Sequence, residues 1–211
     1  MKTTILVSAL LAAGVVAATP VSADEGPWLV RVRALDLVAK NQNESPLLAN
    51  AQVKAEDKVF PEVDFTYFFT PNIAAELILT YPQVHTVTVA GINIGSIQHL
   101  PPTLTAQYHF NPTGEFRPYV GLGVNYTRFT NTSLDAGPAL TGSVPLTTDK
   151  DSFGLSGQIG ADYKVADHWF INADAKYVKL QTDVKIASTG TLVTKLHVDP
   201  WLLSVGVGYR F

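Results

Sequence analysis

The sequence predicts an all-β chain, an eight-stranded antiparallel transmembrane β-barrel with short periplasmic turns and four longer extracellular loops. Three observations carry that expectation. The chain ends on an alternating segment, Trp201 to Phe211, that is apolar on one face only; it begins with a segment of export-signal character; and three short polar breaks alternate with four long polar stretches between these ends.

In the terminal segment Trp201, Leu203, Val205, Val207, Tyr209 and Phe211 share one face, and Leu202, Ser204, Gly206, Gly208 and Arg210 share the other, because strand side chains alternate with period two. Trp at one end, Tyr and Phe at the other and aliphatics between match the lipid side of a barrel strand with its two aromatic girdles. At the other end, Lys2, the apolar run Ile5 to Ala18 and the small-residue site Val21-Ser22-Ala23 read as a signal peptide over residues 1–23, leaving an outer-membrane barrel at 24–211. The localisation expected is therefore the Gram-negative outer membrane. No other segment approaches the roughly 20 apolar residues of a spanning helix. A membrane crossing must then be a closed barrel, since an open sheet leaves edge amides unsatisfied in hydrocarbon.

Short breaks at Thr70-Pro71-Asn72, at 111–117 and at 165–168 are rich in turn formers, and longer polar stretches lie at 39–58, 86–102, 131–151 and 185–199. They delimit strands at 28–38, 59–69, 73–85, 103–110, 118–130, 152–164, 169–184 and 200–211. In each strand one parity class is apolar and uncharged. Its aromatics fall at two heights: Trp28, Tyr67, Phe69, Tyr108, Phe110, Tyr163, Trp169, Tyr209 and Phe211 beside the short turns, and Tyr81, Tyr126, Phe153, Tyr177 and Trp201 toward the long loops. A separation of about eight residues at roughly 3.3 Å each, tilted about 40°, spans about 20 Å, close to the apolar band of such barrels. A soluble sandwich or lipocalin has no reason to gather outward aromatics at two levels.

The other parity holds Arg31, Arg33, Glu62, Asp64, Glu76, Asp162, Lys164, Asp174, Lys176 and Arg210. The lumen of an eight-stranded barrel is only wide enough for side chains to fill it, so these charges are expected to form a bonded network with Gln107, His109, Asn125, Gln158 and Asn172. A wide ion channel is not expected. Lys176, Lys164 and Arg31 are the expected partners of Asp174, Gly121 and Gly123 give room inside, and an Arg at the lumen-side position 125 is expected to be tolerated better than one at the lipid-side position 122. Toward the long loops the inward parity turns apolar. Leu35, Leu37, Phe60, Ile78, Phe129, Val178, Leu180 and Leu202 have no lipid to face there, so they either plug the lumen or line a pocket for an apolar ligand. Pro82, just after the girdle residue Tyr81, cannot donate to the ladder and marks either a lateral gate or the place where the third strand leaves the sheet.

Composition removes other classes. There is no cysteine, hence no disulfide framework, and the net charge of −3 without a basic run argues against nucleic acid. The five histidines form no ligand-spaced pair on one element, although His85 and His99 flank the same loop; neither metal nor cofactor is expected. No Ser and His are brought together by the strand assignment, so a hydrolase is not expected.

Arg31-Val-Arg33 after Trp28, Val63 to Thr70, Pro82 to His85, His99-Leu-Pro-Pro-Thr-Leu-Thr-Ala-Gln-Tyr-His-Phe110, Pro118-Tyr-Val-Gly-Leu-Gly-Val-Asn-Tyr126 and Gly208-Tyr-Arg-Phe211 resemble the OmpW family of outer-membrane proteins, which includes the alkane-importing AlkL type. The resemblance implies an eight-stranded barrel with a hydrophobic extracellular pocket that passes small apolar molecules sideways into the membrane. It also implies that the terminal Phe211 serves as a signal to the barrel assembly machinery. The partners expected are thus outer-membrane lipid, small hydrophobic solutes and that machinery, for a monomeric barrel. A structural, adhesive or receptor barrel with a plugged lumen and no transport is the alternative.

Overall fold

A computed structural model of the chain describes residues 25–38, 42–44, 53–54, 58–89, 92–135, 137, 144–179, 181–197 and 199–211. The segment expected as a signal peptide and the pocket candidate Leu180 lie outside them. All regular structure among the described residues is β. The first hairpin and its surroundings comprise β1 (Trp28–Val38), β2 (Gln42–Glu44), β3 (Val53–Lys54), β4 (Lys58–Phe68) and β5 (Ile73–Thr80). There follow β6 (Gln83–Val89), β7 (Ile92–Leu100), β8 (Thr103–His109), β9 (Phe116–Asp135) and β10 (Pro145–Thr148). The last five are β11 (Asp151–Lys164), β12 (Trp169–Val178), β13 (Gln181–Ile186), β14 (Leu192–His197) and β15 (Trp201–Arg210).

Eight of these close on themselves in the order β1, β4, β5, β8, β9, β11, β12, β15 and back to β1, every pair antiparallel. The closing seam runs from Leu29↔Arg210 to Val38↔Trp201, and Trp28 and Phe211 exchange backbone bonds of 3.1 and 2.9 Å below it. Burial alternates along the barrel strands, most plainly in β8, where Thr103, Thr105, Gln107 and His109 are buried and Leu104, Ala106 and Tyr108 exposed. This is the inverse of a soluble core: the apolar residues are outside because lipid is the apolar phase. Ring contacts link the outward aromatics at both levels. Trp28 meets Tyr67 at 4.9 Å, Tyr67 meets Phe69 at 5.1 Å and Trp169 meets Tyr209 at 5.0 Å beside the short turns, while Tyr126 meets Phe153 at 4.9 Å and Tyr177 meets Trp201 at 5.3 Å on the loop side.

The long polar stretches depart from the expectation of loops. Strands β6, β7, β10, β13 and β14, with the upper part of β9 and the short β2 and β3, pair in the order β3, β6, β7, β9, β10, β13, β14, β2 to form a collar above the membrane wall. Thr86, Thr88 and Asn93 raise the polarity of Val84 to Val89 and Ile92 to Ile97, but β-branched Val, Ile and Thr recur through both, so the stretch has strand character despite its polarity. The expected third strand, 73–85, breaks at Tyr81-Pro82, and the expected seventh, 169–184, breaks after Val178. At the second break the Lys179 carbonyl lies so close to Gly154 that a Cβ there would collide with it. The expected fifth strand, 118–130, instead runs unbroken from Phe116 to Asp135 and joins barrel to collar.

Candidate functional site: an apolar mouth over a charged lumen

The apolar inward residues converge at the level where barrel meets collar. Leu35, Leu37 and Phe60 are buried and pack together against the half-buried Leu202. Ile78, Phe129 and Val178 are also buried, and Phe60 makes an edge contact with the girdle ring of Tyr81 at 6.4 Å. The collar extends this lining upward with Ile94, Ile97, Leu134, Leu146, Val184 and Val193, all buried. Ile94, Ile97, Leu134, Leu146 and Val193 fall in the long polar stretches expected as loops, and in β7 parity fails as well: the β7–β9 register shifts between Ser96 and Gln98, so Ile94 and Ile97 both turn inward although they stand on opposite parities.

Directly beneath, the charges form two separate groups. In the core, Arg31 holds Asp162 through two bonds of 2.9 and 2.7 Å, Asp64 at 2.9 Å and Thr66 at 2.8 Å, with Glu76 at 3.5 Å. Arg33 reaches Glu62 at 2.8 Å, Asp64 at 3.0 Å, Glu76 at 3.2 Å and the side-chain oxygen of Asn172 at 3.2 Å. Lys176 lies 3.8 Å from Asp174, whose other oxygen accepts the Tyr119 hydroxyl at 3.0 Å. Of the three partners expected for Asp174, only Lys176 is there: Arg31 is taken by Asp162 and Asp64, and Lys164 stands at the periplasmic end.

The second group closes that end. Glu25 accepts from Arg117 at 2.6 and 3.0 Å and from Lys164 at 2.7 Å, with Arg210 at 3.4 Å. The guanidinium of Arg210 also lies over the Phe68 ring at 4.0 Å and that of Arg117 over Phe170 at 4.9 Å, on top of a buried cluster of Leu29, Phe68, Ala74 and Phe170. Neither Glu25 nor Arg117 is legible as a lumen group, since one precedes the first strand and the other falls in a turn by composition. The ten expected charges, balanced as a set, are therefore segregated: Arg31, Arg33 and Lys176 face Glu62, Asp64, Glu76, Asp162 and Asp174 in the core, whereas Lys164 and Arg210 join Arg117 around Glu25.

Burial raises the affinity of the Glu25 carboxyl for its proton, but hydrogen bonds from Arg117 and Lys164 and their charges outweigh it and hold its pKa at about 2. The folded value lies below the ordinary 4.5, so this contribution to stability is complete above about pH 4.5 and lost as pH falls toward 2. Glu25→Gln is expected to lower stability at pH 7 by about 1.5–3 kcal/mol, the range for hydrogen bonds to charged groups. It should also flatten the acid limb of the stability curve in that window, measured by urea unfolding in lipid vesicles. Wild-type and variant curves that stay parallel from pH 5 to about 2 would show that the cluster does not act.

The wall is interrupted beside the mouth. The β4–β5 ladder ends at Glu62↔Thr80 and the β5–β8 ladder at Ile78↔Thr103, while β6 takes up pairing with β7 at Gln83↔His99. Pro82, exposed, falls in that interval, with Pro61 on the flank of β4 and Pro101-Pro102 on the approach to β8. None of the four prolines has an amide to give. The Pro101 and Pro102 carbonyls turn away to β9, where they accept from the Asn125 amide at 3.3 and 3.2 Å. His85 and His99 lie on β6 and β7, with side chains outside those described. Among the described residues no group of three or more His, Cys, Asp or Glu could hold a metal ion.

Comparison with known proteins agrees with the architecture. The OmpW family model matches residues 24–211. Outer membrane protein W of Vibrio cholerae is 33% identical over 220 residues, covering 100% of both chains, and the dibenzothiophene metabolism operon protein PahQ of Pseudomonas aeruginosa is 30% identical, covering 92% of this chain and 93% of its own. Among solved structures, the outer membrane protein OprG of Pseudomonas aeruginosa superposes with a TM-score of 0.76 at 28% identity, covering 89% of this chain and 97% of that one. An outward apolar wall with two girdles, a side-chain-filled lumen and this family match lead to one conclusion: the chain is a Gram-negative outer-membrane β-barrel and belongs to the OmpW family.

Proposed function

We propose that the barrel captures small hydrophobic molecules at its extracellular mouth and releases them sideways into the membrane. The observation that carries this reading is the stacking of an apolar mouth on a charged core at the height where the wall ladder is interrupted. The solute enters the lining of Leu35, Leu37, Phe60, Ile78, Phe129, Val178 and Leu202. It does not continue downward, because separating the Arg31 and Arg33 pairs costs several kcal/mol. The interval at Pro82 opens instead onto lipid, where each buried CH₂ gains about 0.8 kcal/mol. A relative named for dibenzothiophene metabolism supports the solute class, since dibenzothiophene is apolar. In the same reading residues 1–23 are a signal peptide removed on export, Phe211 is recognised by the assembly machinery, the working unit is a monomer and no catalysis is involved.

Pro82→Ala restores an amide donor in the interval and is expected to slow uptake of a fluorescent hydrophobic tracer into cells, with little change in barrel stability. Phe129→Asp should weaken tracer binding to the purified protein. The packing of Leu35, Leu37 and Phe60 against Leu202 favours a second reading, a structural or adhesive barrel whose mouth is filled by its own side chains. Wild-type tracer import by both variants would select that reading and end the transport one.

A further inference from the structure

One wall of the lumen is built differently from the rest. Across β8, β9 and β11 two adjacent rungs have the same composition: Thr105, Gly123 and Ser156 in one, Gln107, Gly121 and Gln158 in the next. In each rung the middle residue has no side chain and its two neighbours are polar. All four polar residues are at most 5% exposed, yet Thr105 Oγ1, Ser156 Oγ, Gln107 Nε2 and Gln158 Oε1 each lack a hydrogen-bond partner in the protein.

These atoms are not left over by loose side chains. The other end of the Gln107 amide engages the His109 ring at 3.1 Å, and that of Gln158 donates to Glu76 at 2.9 Å, so both amides are held with their second atom turned aside. The two hydroxyls lean over the same glycine from opposite sides: a Cβ on Gly123 would stand 2.6 Å from Thr105 Oγ1 and 2.7 Å from Ser156 Oγ. Four buried polar atoms without partners in two neighbouring rungs would be costly, because each would have given up its water for nothing.

The chemistry of the set selects the ligand. It contains one obligate donor, one obligate acceptor and two hydroxyls that serve as either. A cation has no use for the Gln107 N–H, and an anion none for the Gln158 carbonyl. Water donates and accepts, and buried water characteristically takes two to four such partners. We propose that these two rungs hold ordered water, enclosed in the barrel wall. In the register above, Asn125 is bonded to Thr103, Thr127 and the two proline carbonyls; in the register below, the His109 and Tyr119 rings pack against each other at 5.0 Å. Through Gln158 the water joins the Glu76 end of the arginine network, so the core is solvated from one side without being open.

Two measurements on the folded barrel in lipid vesicles test this. Water-to-protein magnetisation transfer should reach the Hα protons of Gly121 and Gly123 in the wild type and be lost in the double variant Thr105→Val, Ser156→Ala. Those near-isosteric changes should also lower the urea midpoint, since bound water then loses two partners. If the site is dry they remove unsatisfied hydroxyls and the midpoint rises. Absence of transfer to both glycines, or a raised midpoint, overturns the proposal.

Discussion

Arg31→Met is expected to cost the barrel about 3–5 kcal/mol, the range for breaking a buried ion pair by removing one partner. Three carboxylates converge on this guanidinium, Asp64 at 2.9 Å, Asp162 at 2.7 Å and Glu76 at 3.5 Å, with Arg31 and Asp64 fully buried. Methionine fills much of the volume and satisfies none of them. Arg33 is already engaged with Glu62, Asp64 and Glu76, and Asp162 keeps the neutral amide of Asn172 as its hydrogen-bond donor. Adding Asp162→Asn should recover part of the loss, because one stranded charge is then gone. Equilibrium urea unfolding in vesicles measures both. A single variant that shifts by less than about 1 kcal/mol, the value of a surface pair, would show that the network is solvated well enough to be dispensable.

The second large effect lies on the opposite face. Leu122 points outward from the middle of the part of β9 that pairs with β8 and is 77% exposed on the lipid side, so Leu122→Arg is expected to destabilise by about 2–4 kcal/mol. Phe153→Arg, at the extracellular girdle, should bring a cation penalty of only about 0–1 kcal/mol, since the charge reaches the interface. Equal losses at the two positions would mean that the strand heights are misassigned. Arg at position 125, expected to hurt less than Arg at 122, carries a cost of its own. Asn125 is buried, and its amide donates to Pro101, Pro102 and Thr103 while its oxygen accepts the Thr127 hydroxyl at 2.6 Å, so a longer cation there has neither room nor partners.

The barrel was legible because period two and the girdles are local signals. Trp28, Val32, Leu104, Leu122, Ile159, Ile171 and Val205 all stand outward as alternation requires, and the chain's last strand contains the whole rule. The pairing of lumen charges was not legible, since parity says which residues face inward but not which stand across the lumen from one another. Arg31 and Asp162 are brought together by closure alone. Tyr119 and Arg117 were hidden for a related reason: an inward Tyr in a narrow barrel looks like girdle chemistry on the wrong parity, and Arg117 sits among turn formers. The collar residues Ile94 and Ile97 are set inward by irregular pairing whose one local signal is Gly95, at a φ of +134° inside β7. Pro82 was legible as a missing donor, but the joint interruption with Pro61, Pro101 and Pro102 is a property of register.

The seam that pairs Leu29 with Arg210 has a kinetic meaning as well as a structural one. Every other barrel ladder joins strands that follow one another along the chain with only a turn or collar between, whereas this one joins the first strand to the last. Its contacts span nearly the whole length of the chain, the largest loop closure available, and loop entropy must be overcome before those bonds form. Strand pairing can therefore propagate as a curling sheet from any internal hairpin, but closure has to wait for Phe211. The pairing of the first and last barrel strands also makes the wall a ring. A short linker from Phe211 to Glu25 would keep the Arg117, Lys164 and Arg210 contacts of that carboxylate and leave the chain free to be reopened in a collar hairpin, moving the slow step to a different pair of strands without altering the wall.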